Sequence, residues 1–232
     1  MQKRPVFFGD DRRILSKLVR DALLEQRFGK NLYRVLITST KEIKRKPYQD
    51  VLRQKYPGRY VVVDGMQTNV EGVPNQPFQE QGIIGAEGRI MDALVKTAGF
   101  SYDAVGSYES FLVALNPDKF QPDKWVTPEM WAQPSQIKSA PEALVYADVA
   151  CFIHMDLTNN VKTIAYSRPV AIPTGVALEA VKRGFDTSFA QVLHEKDPRV
   201  KLDDPHASLG NYSRFQQIYD VTHAAIGTSI FS

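Results

Sequence analysis

The sequence has one cysteine in 232 residues, Cys151, so no internal disulfide can form. The apolar run Asp148-Val-Ala-Cys-Phe-Ile around it reads as core, where a small thiol serves as filler. No His or Asp stands at a spacing that would activate it as a nucleophile. Long apolar stretches are also missing. Nothing approaches the ~20 residues of a membrane helix, and the start, Met1-Gln-Lys-Arg-Pro-Val-Phe-Phe, has no continuous apolar segment of the signal-peptide kind. The expectation is a cytoplasmic protein with no membrane partner. Neither sign of charge dominates: 29 Lys and Arg against 26 Asp and Glu leave +3, spread along the chain. No global field therefore recommends nucleic acid as a partner. Glycine signatures are lacking too. The absence of a Gly-x-Ser-x-Gly elbow, a Walker-type loop or Gly-x-Gly-x-x-Gly removes support for serine hydrolases, P-loop ATPases and dinucleotide dehydrogenases. The four histidines, His154, His194, His206 and His223, lack the paired short spacing of a metal set and are expected to be structural.

What is present has ordinary globular composition, 43% hydrophobic and 24% charged, at a length that fills one sizeable core. Leu15, Leu18, Val19, Ala22 and Leu23 recur at helical spacing between Arg12 and Phe28, with Asp10 or Asp11 placed to cap and Gly29 to stop. Leu32 to Thr38 reads as the first core strand. A helix from Glu42 to Lys55 follows, which Pro47 must start late or kink. Gly58 to Gly65 reads as a buried strand. Gly72-Val-Pro-Asn-Gln-Pro-Phe is a loop, because its prolines remove donors and restrict their neighbours. Ile83, Ile84, Ala86, Ile90, Leu94 and Val95 predict a helix over Glu80 to Gly99. Two short strands around a polar tip are expected over Tyr102–Glu109 and Phe111–Leu115. Residues 116–141, with five prolines and both tryptophans, read as an ordered insertion or lid. A hairpin pairs Tyr146–Leu157 with Val161–Tyr166. Val176–Arg183 is helical, and the last helix starts at Ser213 with Phe215, Ile218, Thr222, Ala225 and Ile226 facing inward. Alternating strands and helices followed by a meander predict an α/β fold, a mixed β-sheet flanked by helices. The chain is expected to be one domain over 1–232, with an N-terminal helical extension (1–30) and the Pro/Trp-rich insertion (116–141).

Four places could carry chemistry. In Ile37-Thr-Ser-Thr-Lys-Glu-Ile-Lys-Arg-Lys46 a strand ends at three hydroxyls and continues into a basic helix start, which suits a phosphate cradle. An ordinary N-cap with a solvated basic face explains the same residues. Glu109 stands at the expected end of a buried strand, where a carboxylate could hold Mg²⁺; a surface glutamate would look the same. Glu80 opens a helix, for which the helix dipole alone is reason enough, and Glu87 and Arg89 could be solvated face residues. Arg214, in the first turn of the last helix, suits bidentate phosphate or base recognition, and is also a common surface residue.

The order of these features resembles the inosine/xanthosine triphosphatase family, over roughly residues 32 to 228. The family's strand followed by Thr/Ser-x-Asn-x-x-Lys is similar to Thr38-Ser39-Thr40-Lys41-Glu42-Ile43-Lys44, with Lys41 in place of the usual Asn. Its Gly-Val-Pro-x-Gln-Pro loop, acidic helix start and Gly-Ala-x-x-Arg resemble Gly72 to Pro77, Glu80 and Gly85 to Arg89, with Gln81 where relatives usually carry Glu. Its strand ending in Glu resembles Ser107-Tyr-Glu109-Ser. The resemblance implies an ITPase-like fold and Mg²⁺-dependent (or Mn²⁺-dependent) hydrolysis of ITP or XTP in nucleotide-pool sanitation. It implies Lys44 and Glu109 as catalytic groups, Thr38, Ser39, Thr40, Lys41, Arg89 and Arg214 as substrate contacts, Glu109 and Glu80 as metal ligands, and a homodimer. It leaves open whether the α/β or the β/γ bond is cleaved. A nucleotide-binding or scaffolding relative, its site decayed at Gln81 and Lys41, is the alternative, and a module binding nucleic acid through Lys41 to Lys46 a third.

Overall fold

The computed structural model describes residues 9–98, 100–184, 187–210 and 212–227, with the side chains of 9–15 outside that description. The elements run α1 (Gly9–Phe28), β1 (Leu32–Ile37), α2 (Glu42–Lys55), β2 (Tyr60–Gly65), α3 (Glu80–Lys96), β3 (Ala104–Leu115), α4 (Pro134–Ser139), β4 (Val145–Asp156), β5 (Val161–Tyr166), β6 (Val170–Ile172), α5 (Thr174–Arg183), α6 (Phe189–Lys196) and α7 (Arg214–Ile226). Six strands form one mixed sheet in the order β2-β1-β3-β4-β5, with β6 also on β4. β1 is parallel to β2 and β3, while β4 runs antiparallel to β3, β5 and β6. Helices cover both faces, as the alternating sequence pattern predicts. Among the described residues no helix is long and apolar enough to cross a membrane.

Side-chain alternation along the strands divides the core. Tyr108, Ala150 and Phe152 pack with Tyr48, Val51, Ile218 and Val221 under α2 and α7. Phe111, Val113, Val149, Cys151 and Ile153 pack under α3. A third cluster joins Leu112, Ala114 and Tyr146 to α5 and α6. Cys151 is fully buried and its thiol pKa is pushed up by desolvation, so it is the inert filler expected.

Several expectations need correction. The two short strands are one twelve-residue strand, β3, because β4 pairs with it from Ala104 to Leu115 without a break. Glu109 therefore lies mid-strand, not at a strand end. α2 accommodates Pro47 as its sixth residue, so the helix starts at Glu42 and the proline is buried. α3 turns Ile84 and Val95 outward, at 58% and 73% exposure. Ala86 and Ile90 face inward as expected, but the rest of the buried face is Gly82, Gly85 and Ala93, and a Cβ on Gly82 would stand 2.2 Å from the Phe111 ring. In α7, Phe215 is exposed while Val221 is buried. The stripe of α1 is inverted: Leu18, Val19 and Leu23 face solvent, and buried Asp21 meets Arg34 at 2.5 Å. Arg34 and Asp64 sit under this helix and need charged partners, which Asp21, Lys17 and Arg20 supply. Phe28, eleven residues after Lys17 on the same face, stacks on Tyr60 at 3.9 Å. Leu15 and the proposed caps Asp10 and Asp11 lie outside the described side chains, and Gly99 outside the described residues. The stretch 116–141 packs on the core, with Trp131 buried and bridged to Leu115, while Trp125 is partly exposed. α4, β6 and α6 are additional to the elements read from sequence.

Candidate functional site

The site follows from a mismatch in strand length. β1 stops at Ile37, opposite Gly106, whereas β3 continues for nine more residues. The backbone edge of β3 is open just past that point. The Thr38 amide still donates to the Gly106 carbonyl, and its hydroxyl donates to Ser107 at 2.9 Å. Further along, the proline-containing loop closes the edge again: Leu112 N–H donates to Pro77 and Gln79 N–H to Leu112. Between these two closures the Tyr108 carbonyl accepts from Lys44 Nζ at 3.1 Å.

Lys44 is the hub. It is half-buried on the first turn of α2, and its pKa is brought down to about 8 by desolvation first. Glu109 acts the other way, while Arg214, Arg89 and Lys41 push it down further. Four cations drawn from α2, α3, α7 and the loop after β1 thus share one electrostatic neighbourhood with one carboxylate. Arg89 is paired with Glu109 and Arg214 lies 4.0 Å from Asp148, whereas Lys41 and Lys44 have no carboxylate partner among the described residues and suit an incoming anion. The α2 N-terminus opens on the same place. Ser39 Oγ accepts from the Lys41 amide, Lys44 and Arg45 bond back to the Lys41 carbonyl, and Glu42 and Ile43 N–H have no acceptor among the described residues. Thr38 and Ser39 are buried with their hydroxyls engaged, while Thr40 and Lys41 are exposed.

On the α3 side, Glu109 Oε2 accepts from Arg89 Nε at 2.6 Å, and Arg89 also donates to the Thr68 carbonyl at 3.1 Å. Gly85 lies beside this pair: a Cβ there would be in ordinary contact with the Glu109 carboxylate at 3.5 Å and tight against Val73 at 3.1 Å. Glu80 is not brought to Glu109. It is exposed, and helical geometry turns it roughly 140–160° away from the Gly82 and Gly85 face. Gln81 accepts from the Phe78 amide at 3.1 Å and so serves as a backbone cap. Among the described residues no group of three or more His, Cys, Asp or Glu could hold a metal ion.

On the opposite face lies a cluster that the sequence reading missed. Asp148 is fully buried, its Oδ2 3.0 Å from His206 Nε2 and 4.0 Å from Arg214. Gln217 Nε2 donates to the Asp148 carbonyl, and Asp148 Oδ1, His206 Nδ1 and Gln217 Oε1 have no hydrogen-bond partner among the described residues. An aspartate inside an apolar strand was the available signal, hidden because β-rich patterns do not show which face a residue takes. His206 also lines a cavity of ≈480 Å³ with Arg168, Tyr212 and Gln216. His154 is structural, as expected: it hydrogen-bonds Tyr48, and burial lowers its pKa to about 4.

No protein-family model matches the sequence, and no curated protein matches it. Among solved structures, protein VC0702 from Vibrio cholerae is similar with a TM-score of 0.56 and 13% identity, over 84% of this chain and 93% of that one. What is shared is the fold. A nucleoside-triphosphatase / dITP/XTP pyrophosphatase from Mycobacterium abscessus reaches a TM-score of 0.37 and 13% identity, over 61% of this chain and 73% of that one. That likeness is too slight to argue from.

Proposed function

We propose that the cleft between β1 and the overhanging part of β3 binds the phosphates of a purine nucleoside triphosphate of the ITP or XTP type and hydrolyses it. Lys44, on the first turn of α2 and bonded to the Tyr108 carbonyl at the open edge of β3, with Lys41, Arg89 and Arg214 near enough to act on its charge, carries the reading. Phosphoryl transfer needs mainly positioning and charge neutralisation, and cations with free amides supply both. Lys44, already held by the Tyr108 carbonyl, would swing little to meet a phosphate oxygen. Arg89 and Arg214 would grip from the two faces of the sheet. The ≈480 Å³ cavity beyond Asp148 and His206 is our assignment for the base.

A divalent cation fits this donor set sparsely. Mg²⁺ takes its ligands from one or two carboxylates, waters and substrate phosphates. Arg89 engages only Oε2 of Glu109, so Oε1 is the oxygen that would hold Mg²⁺ or Mn²⁺, without help from Glu80. The ion would neutralise charge on the phosphates.

A second reading, nucleotide binding without turnover, draws on the same observation of a lone, arginine-paired carboxylate. Release of phosphate and diphosphate from ITP, XTP, dITP, GTP and ATP, measured with Mg²⁺ and with chelator, decides. Metal-dependent release favouring ITP or XTP is expected and identifies the cleaved bond. Tight binding of ITP with no release selects the second reading, and neither binding nor release refutes both.

A further inference from the structure

A different surface carries an inference independent of the nucleotide reading. β2 is an edge strand, paired on one side only, with β1. Met66 N–H donates to the Ile37 carbonyl. In a parallel ladder the groups alternate, so Tyr60, Val62 and Asp64 face β1, while the N–H and C=O of Val61, Val63 and Gly65 point outward. No hydrogen bond occupies those outward groups among the described residues. Natural edges are usually blunted by Lys, Pro, a bulge or a covering element. The other edge, β5, carries Lys162, but Tyr60-Val-Val-Val-Asp-Gly65 has no such device.

This edge is the floor of a groove of ≈390 Å³ lined by Arg20, Arg45, Gln49, Arg53 and β2. Arg45, Gln49 and Arg53 recur every fourth residue along α2, so they form one row. Eight helical residues rise about 12 Å, and the four steps from Val61 to Gly65 span about 13 Å, so the row runs the length of the open edge. Arg20 stands on the other face of the sheet, on α1. Arg53 has no ion-pair partner among the described residues; Arg20 is bonded to Asp64 and Asp21 and Arg45 to Glu42, yet 49% and 45% of their side chains remain exposed to a further anion.

We infer that this groove accepts an extended acidic peptide segment as an additional β-strand next to β2. Main-chain hydrogen bonds to Val61, Val63 and Gly65 would hold it, and its alternate side chains would meet Arg45 and Arg53 on one face and Arg20 on the other. A second copy of this chain pairing edge to edge would bring the same arginines against each other, so charge selects an acidic partner.

The test uses the full chain and a fluorescein-labelled Val-Glu repeat of about eight residues. Anisotropy should show binding that weakens about tenfold or more in R45E/R53E, with amide exchange slowed at Val61, Val63 and Gly65. The same peptide N-methylated on alternate amides should bind at least about tenfold more weakly. The inference is overturned if the peptide does not bind, if the methylated peptide binds equally, or if those amides stay unprotected. An oligothymidylate of equal charge binding more tightly than the peptide would also overturn it, making the groove a nucleic-acid surface. Should R45E/R53E fail to fold, the methylated peptide and the amide exchange of the wild-type chain still decide.

Discussion

At the residue scale, the proposed function rests on two signs of charge in one cleft, Lys44 and Glu109. Lys44→Ala should lower kcat/KM for ITP by two orders of magnitude or more, with a thermal midpoint near wild type because the side chain is only half-buried. Glu109→Gln keeps the shape over Gly85 but loses the charge that Arg89 meets, and should lose turnover while retaining nucleotide binding. The titration of Lys44 gives a sign as well. Its pKa is lowered to about 8, so rising pH removes the cation in the unliganded protein. The alkaline limb of kcat/KM should fall near pH 8, and Lys44→Arg should move it upward. A flat profile between pH 7 and 9 would show that Lys44 does not carry the phosphate charge. In stability terms the sign is opposite: the unfolded chain holds this proton up to its ordinary value of 10.5, so this group makes the fold gain stability as pH rises from about 8 to 10.5.

At the element scale, α3 approaches the sheet closely enough that glycine is required at Gly82. An alanine Cβ would sit 2.2 Å from the Phe111 ring, which is fully buried and cannot retreat. Gly82→Ala should cost about 1–3 kcal/mol through overpacking, read as a lower midpoint in urea. It should also reduce activity, because α3 carries Arg89. Gly58→Ala, where a Cβ meets nothing within 4 Å, is the control and should leave both unchanged. The periodicity of α3 showed that a helix exists over 80–96. It did not show which side faces inward, since Ile84 and Val95 are as apolar as the residues buried in their place. Closeness to Phe111 and Glu109 selected the Gly and Ala side.

At the scale of the whole molecule, α1 clasps the sheet by charge. Asp21 and Arg34 are both nearly buried and 2.5 Å apart. Removing Asp21 leaves buried Arg34 with only Asp64, at 3.9 Å, so Asp21→Ala should destabilise the chain by about 3 kcal/mol. Leu23→Ala, on the exposed apolar side, should change stability by less than about 0.5 kcal/mol. Thermal melts of the two variants give the order. A larger loss for Leu23→Ala would mean that the apolar stripe is covered in solution. The cleft beside β3 is a whole-molecule feature in the same way: no single element contains it, and it exists because β1 is half as long as β3.

Local pattern was sufficient for much of this protein. Strand runs such as Leu32–Ile37, the α2, α3 and α7 segments, the 145–166 hairpin and the inert Cys151 follow from periodicity, capping and turn chemistry, which act over a few residues. The grouping of Thr38 to Lys44 was also legible, because a strand end and a helix start adjoin in sequence. The rest required the assembled chain. The continuity of β3 depended on pairing with β4 some forty residues later. The inward turn of the charged side of α1 depended on Arg34 and Asp64 waiting under it. The separation of Glu80 from Glu109, and the meeting of Asp148 with His206, depended on which face each element presents. Hydrophobic periodicity records that a face will be buried, whereas partner charges and the space left by neighbouring side chains choose which face it is.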